Sequence, residues 1–275
     1  MNTRAECTFR RILVPLDDPA SSADALSAAA ALAARVGAHL EGLFVEDVNL
    51  LRAAALPFAA VVVVPSGTLQ RVDRARVEAQ LRAVAEAARA ALAGAATALQ
   101  IAWSFRVERG ELTVAIVEAA TSADLVVVGR RAPRTGAGAE PFARAVALRA
   151  PGSVFVAGAR LDLDRPLAVA YDGSAAADEA LDVVRNLDGR APSVIVLVSA
   201  ATERRAQLLA ERARARLVTD RIVIRWTGGD RLEHLIDAAR DEAALLVVAK
   251  DAPILSGDGL DRLLDAVDAP LLIVR

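Results

Sequence analysis

The sequence predicts two similar α/β domains in tandem, and three observations support this prediction. The segment Ile12-Leu13-Val14-Pro15-Leu16-Asp17 is repeated by Leu167-Ala168-Val169-Ala170-Tyr171-Asp172, and in both an apolar strand ends on an aspartate before an alanine-rich helix. A length of 275 residues fits two domains of roughly 100–150 residues each. The strand candidates are continuous apolar runs, which are typical of parallel strands buried on both faces with helices between them.

The elements follow the same order in each half. Six apolar runs are predicted as strands: Ile12–Leu16, Leu125–Val128, Val154–Val156, Val194–Val198, Leu245–Val248 and Leu271–Val274. The first helix of each half is predicted over Ser21–Val36 and Ala175–Leu187, with Ser174 as the N-cap of the latter.

The later helices complete a β-α-β-α-β-α-β-α-β order in each half. A helix from about Leu69 to Leu92 places Val77, Leu81, Val84, Ala88 and Leu92 on one face. Gly110 and Gly229 each end a strand and precede the helices Leu112–Ala120 and Leu232–Arg240. The polar joint near Arg160–Arg165 divides the chain into predicted domains at 1–160 and 165–275.

The halves differ by an insertion of about Asp47 to Thr68, which the second half lacks. Its apolar stretch, Ala53–Pro65, is interrupted by Pro57 and is shorter than the roughly 18 residues of a spanning helix. It is interpreted as a covered loop or a contact surface, which either closes over the first domain's crevice or pairs two chains.

Composition excludes several classes of protein. The formal net charge of -2 provides no field that attracts nucleic acid or an anionic membrane. Cys7 is the single cysteine, so no intrachain disulfide can form. The N-terminus lacks the basic start and apolar run of a signal peptide. We therefore expect a cytoplasmic protein with an aliphatic core, since only 3% of residues are aromatic.

The ordered motifs resemble the universal stress proteins. The first half carries Ile12–Asp17, then Gly110-Glu111 before a helix, then Ala123–Gly129; the second carries Val169–Ser174, Gly229-Asp230 and Ala269–Val274. The chain is thus similar to a tandem member of that family. The resemblance implies a doubly wound, five-stranded parallel sheet in each domain with helices on both faces, the adenine nucleotide alpha hydrolase-like fold. The family's final strands pair across an interface, which implies that Val154–Val156 contacts Leu271–Val274 within this chain.

The resemblance also implies where a nucleotide would bind. Adenine would lie near Asp17 and Val45 in the first domain, and near Asp172 and Val198 in the second. Phosphates would lie on a loop after the fourth strand with the pattern Gly-x-x-Gly, nine residues, then Gly-Ser/Thr. Glycines allow the backbone N–H groups to approach the phosphates.

This loop departs from the family pattern in both halves. In the first, Gly129 is followed by Arg130, Arg131 and Ala132, and Glu140-Pro141 occupies the Gly-Ser position, although Gly136 and Gly138 remain. In the second, Ala249 and Ala252 replace both glycines, and Asp258 follows Gly257. Asp251 and Asp258 would repel a triphosphate. We therefore expect no ATP in the second domain.

Each candidate residue has a structural alternative. Asp17 and Asp172 contact a ligand or accept backbone N–H groups. Arg130, Arg131 and Arg134 either replace the lost glycines as an anion-binding loop or are ordinary surface arginines. Another arginine group is interpreted as a solvated helix face: Arg204, Arg205, Arg212, Arg214 and Arg216. Trp103 and Trp226 are predicted to seal an edge of the core.

No motif indicates catalysis or a metal site. His39 and His234 occupy unmatched positions without the spacing of metal ligands, and no nucleophile elbow or placed carboxylate pair is present. We expect no enzymatic activity and no obligatory cofactor.

Two function hypotheses remain. The first is a stress-response protein that acts through a protein partner or self-association, with degenerate nucleotide loops. The second is an adenine-nucleotide sensor that binds ATP in the first domain through Asp17, Val45, Gly129, Arg130, Arg131, Gly136 and Gly138.

Overall fold

The structure is a computed structural model that describes residues 9–17, 22–56, 60–63, 68–71, 74–130, 142–158, 161, 165–187, 193–217, 219, 221–240 and 245–275. Within 57–73 the structure describes the backbone of Ala60–Val63 and Thr68–Arg71. Cys7, Arg131, Arg134, Gly136, Gly138 and Glu140-Pro141 lie outside the described residues.

The first half contains seven strands and five helices among the described residues. They are β1 (Arg11–Pro15), α1 (Ala23–Val36), β2 (His39–Asp47), α2 (Val48–Ala54), β3 (Ala60–Val63), β4 (Thr68–Arg71), α3 (Arg74–Ala98), β5 (Trp103–Gly110), α4 (Leu112–Ala119), β6 (Leu125–Gly129), α5 (Phe142–Arg149) and β7 (Ser153–Ala157).

The second half repeats the order without the insertion. It contains β8 (Leu167–Tyr171), α6 (Ala175–Leu187), β9 (Val194–Val198), α7 (Glu203–Leu217), β10 (Ile222–Trp226), α8 (Leu232–Arg240), β11 (Leu245–Ala249), α9 (Gly259–Ala266) and β12 (Leu271–Val274). The predicted strands and first helices are confirmed to within two residues. The boundary between the domains stays a prediction.

One ten-stranded sheet runs through both halves in the order β10-β9-β8-β11-β12-β7-β6-β1-β2-β5. Each half contributes five parallel strands, and the order reverses beside its first strand, which confirms the predicted doubly wound fold. The halves meet where β12 pairs antiparallel with β7, with Ile273 opposite Val154 and Leu271 opposite Val156. This confirms the predicted contact between the final strands and protects an otherwise open edge of each half-sheet.

The core lies on both faces of the sheet because successive strand residues point to opposite sides. Ile12 and Val14 belong to the core layer on the side of α1, α3, α6 and α7, whereas Leu13 belongs to the layer on the side of α4, α5, α8 and α9. Alanine-rich helix faces allow close approach, and at Gly42 an added Cβ would lie 2.6 Å from Leu92 Cδ2. The core is mainly aliphatic, as the composition predicted, although Tyr171, Phe44 and Phe155 are among its largest fully buried side chains.

The insertion changes the predicted start of the long helix. Thr68–Arg71 forms β4, which pairs antiparallel with β3, so α3 begins at Arg74 instead of Leu69. The N–H group of Asn49 donates to Asp47 Oδ1 at 2.8 Å and caps α2, which buries Leu51. The hairpin is a two-stranded sheet apart from the ten-stranded one. The side chains of the predicted contact stretch from Pro57 onward lie outside the described residues.

Within the described part of the chain, no helix combines the length and apolar character needed to cross a membrane.

Candidate functional site

The first crevice lies at the carboxyl ends of β1, β2 and β6, where the strand order reverses and open α/β sheets usually bind ligands. It brings together Asp17, Val45 and Gly129, three of the residues that the sequence placed at a nucleotide site. Its cavity volume is only about 30 Å³. Among the described residues, its lining consists of Pro15, Leu16, Asp17, Ser22, Ala25, Leu43, Val45, Leu112, Val128, Gly129 and Phe142. The crevice is therefore mainly apolar, with one carboxylate.

That carboxylate already has a protein partner. Ser22 Oγ donates to Asp17 Oδ1 at 2.6 Å and accepts the N–H group of Asp17 at 3.3 Å. Ser22 is buried and makes no side-chain cap to α1. The pair links the end of β1 to the start of α1. The predicted structural alternative for Asp17 was acceptance of backbone N–H groups, whereas the partner seen here is a side-chain hydroxyl.

Arg130 contacts the second half of the protein. Its two terminal nitrogens donate to the carbonyl oxygens of Leu264 and Ala269, each at 2.8 Å. These carbonyls lie at the end of α9 and before β12, and helix C-termini favour cations. Burial lowers the pKa of the Arg130 guanidinium. The geometry gives Arg130 a structural contact in place of the predicted phosphate contact, while Arg131, Gly136 and Gly138 lie outside the described residues.

Lys250 makes the reciprocal contact, which the sequence analysis missed. Its Nζ donates to the carbonyl oxygens of Leu148 at 3.0 Å and Ala150 at 3.2 Å, at the end of α5. Burial is the main cause that lowers the Lys250 pKa. Arg130 and Lys250 each follow the fourth strand of their half directly, and this matched placement was the available sequence signal. Together they hold the two halves at symmetric points.

The second crevice occupies the equivalent position in the second half and has a cavity volume of about 550 Å³. Its described lining consists of Asp172, Gly173, Ser174, Ser199, Ala200, Ala201, Arg205, Leu209, Asp230, Pro253 and Ile254. Val198, which the resemblance placed beside adenine, lines a different cleft on the outer side of α7. The second crevice is larger and more polar than the first.

Asp172 uses only one of its carboxylate oxygens. Oδ1 accepts the N–H group of Ser174 at 2.9 Å, whereas Oδ2 is buried and has no protein partner among the described residues. Ser174 Oγ accepts the N–H group of Ala177 at 3.2 Å, which confirms the predicted N-cap of α6.

A polar network that sequence reasoning missed lies behind this crevice. The buried Tyr171 hydroxyl donates to Asp178 Oδ1 at 2.8 Å, and Arg212 pairs with the other oxygen of Asp178. Arg212 also donates to the carbonyl oxygen of Gly173 at 3.2 Å. Burial and, next, the hydrogen bond to Asp178 raise the pKa of Tyr171 well above its usual value.

The predicted solvated face of α7 is therefore only partly correct. Arg204, Arg205, Arg212 and Arg214 are exposed, whereas Arg216 is half-buried. Arg212 and Arg216 pair with acidic residues of α6, where Arg216 Nε donates to Asp182 Oδ1 at 3.1 Å. Acidic residues four apart on α6 face arginines four apart on α7, and this spacing was the signal in the sequence.

The tryptophan and histidine side chains differ in their contacts, and Nδ1 of His234 is buried without a hydrogen-bond partner among the described residues. Trp103 packs against the core as predicted, but Trp226 is 40% exposed and donates its indole N–H to the carbonyl oxygen of Ala200 at 2.9 Å. The prediction that Trp226 seals a core edge is wrong: both tryptophans lie on outermost strands, β5 and β10, but of the two only Trp103 packs against the core. His39 Nε2 forms a 2.8 Å hydrogen bond with Ser104 Oγ. Within the described ranges no group of three or more His, Cys, Asp or Glu side chains is arranged for a metal.

Comparisons with known proteins agree with this architecture. A universal stress protein from Archaeoglobus fulgidus DSM 4304 aligns with a TM-score of 0.69 at 14% identity, over 98% of this chain and 96% of that chain. A putative universal stress protein from Pseudomonas aeruginosa UCBPP-PA14 aligns with a TM-score of 0.64 at 16% identity, over 97% and 93% of the two chains. Identities this low show the fold alone.

The sequence itself supplies the family. A search of curated proteins gave no significant match. Residues 8–158, more than half of the chain, match the model of the Universal stress protein family. Together with the duplicated fold, this match shows that the chain belongs to the universal stress protein family.

Proposed function

We propose that this protein is a non-enzymatic, cytoplasmic stress-response protein that acts through protein contacts and not by holding ATP in its crevices. The observation that carries the proposal is that the polar side chains expected to contact a nucleotide are already hydrogen-bonded to protein atoms. Asp17 is bound by Ser22, and Arg130 is bound by carbonyl oxygens of the second half. A triphosphate in the first crevice would have to displace contacts that stabilise the fold, since unpaired buried polar groups are costly.

The insertion is the proposed contact surface. The β3–β4 hairpin forms its own two-stranded sheet, and such a sheet is marginally stable without further packing. Outer strand edges carry unpaired backbone groups that can accept another strand. The β3 sequence, Ala-Val-Val-Val, is apolar. The simplest form of the contact is pairing of two chains through this hairpin.

Calorimetric titration of ATP, with and without magnesium, tests the nucleotide part of the proposal. The full chain is expected to give no binding heat at millimolar ATP. Micromolar binding that disappears in Asp17→Ala would overturn the proposal in favour of the sensor hypothesis.

Light scattering over a range of protein concentrations tests the contact. The chain is expected to self-associate, and the double variant Val61→Lys, Val63→Lys is expected to remain monomeric. Val223→Lys is the matched control, because Val223 is exposed on β10, at the edge of the large sheet. A monomer at every concentration, or equal loss of association in the control, would contradict contact through the hairpin.

The adenine-nucleotide sensor is the second candidate, and one observation favours it. Asp17, Val45 and Gly129 line one mainly apolar crevice at the switch point of the sheet, and small-molecule sites are commonly apolar pockets with few polar groups. The calorimetric experiment distinguishes the two candidates directly.

A further inference from the structure

We propose that the second crevice binds a small zwitterion, specifically an aliphatic L-amino acid. This goes beyond the proposed function, because it concerns the other half of the chain and requires neither the hairpin nor a nucleotide. The crevice is open and has a volume of about 550 Å³, which lies within the range of small-molecule sites, roughly 300–1,000 Å³.

The first argument is the free oxygen of Asp172. In the first half, a serine hydroxyl binds the equivalent carboxylate. In the second half, the corresponding hydroxyl of Ser174 caps α6, so Asp172 Oδ2 is buried without a protein partner in the described part of the chain. A buried carboxylate oxygen is most favourable when it accepts a hydrogen bond, and a charged donor gives the strongest one. An ammonium group is such a donor.

The second argument is that the same crevice offers charges of both signs. Arg205 Nη2 lies 3.7 Å from the position that a Cβ atom would occupy on Gly173, which places the guanidinium beside the residue that follows Asp172. Neither Arg205 nor Asp230 makes a side-chain ion pair with the described residues, although both line the crevice. The guanidinium geometry matches a carboxylate. The acidic groups therefore suit the ammonium end of an amino acid, and Arg205 suits its carboxylate end.

The third argument concerns the rest of the occupant. Leu209, Pro253 and Ile254 form an apolar wall of the crevice, which suits an aliphatic side chain. A phosphate group fits poorly, because Asp172 and Asp230 line the crevice and Asp251 and Asp258 lie on the loop that carries Pro253. Like charges repel more strongly as water is excluded.

Calorimetry on the full chain tests the occupant with valine, leucine and isoleucine as probes. At least one is expected to bind at micromolar to millimolar concentration. Two analogues each lack one charge of leucine: isoamylamine has no carboxylate and isocaproate has no ammonium group. Both are expected to bind at least tenfold more weakly than leucine. Absence of binding by all three amino acids, or equal affinity for either analogue, would overturn the proposal.

Variants locate the site. Asp172→Asn and Arg205→Gln are each expected to weaken amino-acid binding at least tenfold, whereas the matched controls Asp17→Asn and Arg204→Gln are expected to leave it unchanged. Circular dichroism verifies that each variant is folded, and the analogue titrations remain decisive if one is not. Equal weakening in the controls, or ATP binding that Asp172→Asn abolishes, would contradict the assignment. Silence toward ATP in the first crevice does not affect this test, so the two proposals fail separately.

Discussion

The two crevices occupy the same position in two halves of one sheet, yet their aspartates are used differently. In the first, Asp17 is bound by Ser22 and the walls are mainly apolar. In the second, one oxygen of Asp172 has no partner among the described residues, and Arg205 and Asp230 line a much larger cavity, of about 550 Å³ against about 30 Å³. A duplicated strand–Asp–helix motif therefore does not determine a duplicated site.

The length of the turn explains much of the difference. Only Gly173 separates Asp172 from Ser174, so the aspartate accepts the serine N–H group and the serine hydroxyl caps the helix. In the first half, residues 18–21 separate Asp17 from Ser22, and the serine hydroxyl reaches back to the carboxylate. The shorter turn goes with an Asp172 Oδ2 that has no partner among the described residues, whereas Ser22 holds Asp17 Oδ1.

The largest expected loss of stability is at Asp178, whose hydrogen bonds stabilise the residues next to the second crevice. Asp178→Ala leaves the buried Tyr171 hydroxyl without an acceptor and removes the partner of Arg212. We expect a loss of about 2–3 kcal/mol in the free energy of unfolding. Urea denaturation measures it, with Asp182→Ala as control, where the partly exposed pair with Arg216 is worth about 0.5 kcal/mol. Equal losses in both variants would show that the Tyr171 network does not support the second half.

The short turn is tested at Gly173, which has φ of +80°. An added Cβ would lie 2.4 Å from Leu209 Cδ2, so Gly173→Ala combines a strained backbone with a clash at the crevice wall. We expect a loss of about 2 kcal/mol in thermal or urea unfolding. Gly228→Ala is the matched control, with φ of +83° and no atom within 4 Å of its Cβ, and it should lose about 1 kcal/mol. A smaller loss at Gly173 than at Gly228 would contradict the tight turn.

Arg130 and Lys250, the two cations that each contact the opposite half, test how strongly the halves are held together. Arg130→Ala removes two hydrogen bonds of 2.8 Å, whereas Lys250→Ala removes two longer ones. We expect losses of about 1.5 and about 1 kcal/mol, because both cations bind helix-terminal carbonyls. Urea denaturation measures both losses, and the exposed Arg204→Ala should show no change. A loss in the control as large as either would contradict the two cross-half contacts.

Most of the fold was predictable because its signals are local. Buried parallel strands require continuous apolar runs, and the run Val194–Val198 is β9 without correction. The start of α3 was not predictable, since Thr68–Arg71 becomes a strand only by pairing with Ala60–Val63. Helical periodicity carries no information about that distant pairing.

The candidate site divides in the same way. Topology brings Asp17, Val45 and Gly129 together, because the carboxyl ends of neighbouring parallel strands meet at one edge. The direction of Arg130 depends on the end of α9, which reaches it only across the β12–β7 junction. From residue type alone, Arg130 was predicted to bind an anion, but in the folded protein it donates to two carbonyl oxygens of the second half.

Alkaline pH should distinguish the halves, because Tyr171 is the single tyrosine and Leu16 holds the equivalent position in the first half. Burial and the hydrogen bond to Asp178 raise the Tyr171 pKa, while a tyrosine in the unfolded chain has a pKa of about 10. The folded state therefore holds this proton more tightly. Its contribution to stability is complete below that pH and is lost progressively as the pH rises above it.

The tyrosinate absorbance should appear only together with unfolding, as followed by circular dichroism. Tyr171→Phe should lose the absorbance and flatten the alkaline decline in stability. Reversible ionisation near pH 10 in the folded protein would show that Tyr171 is accessible to water and that the second crevice is not supported as described.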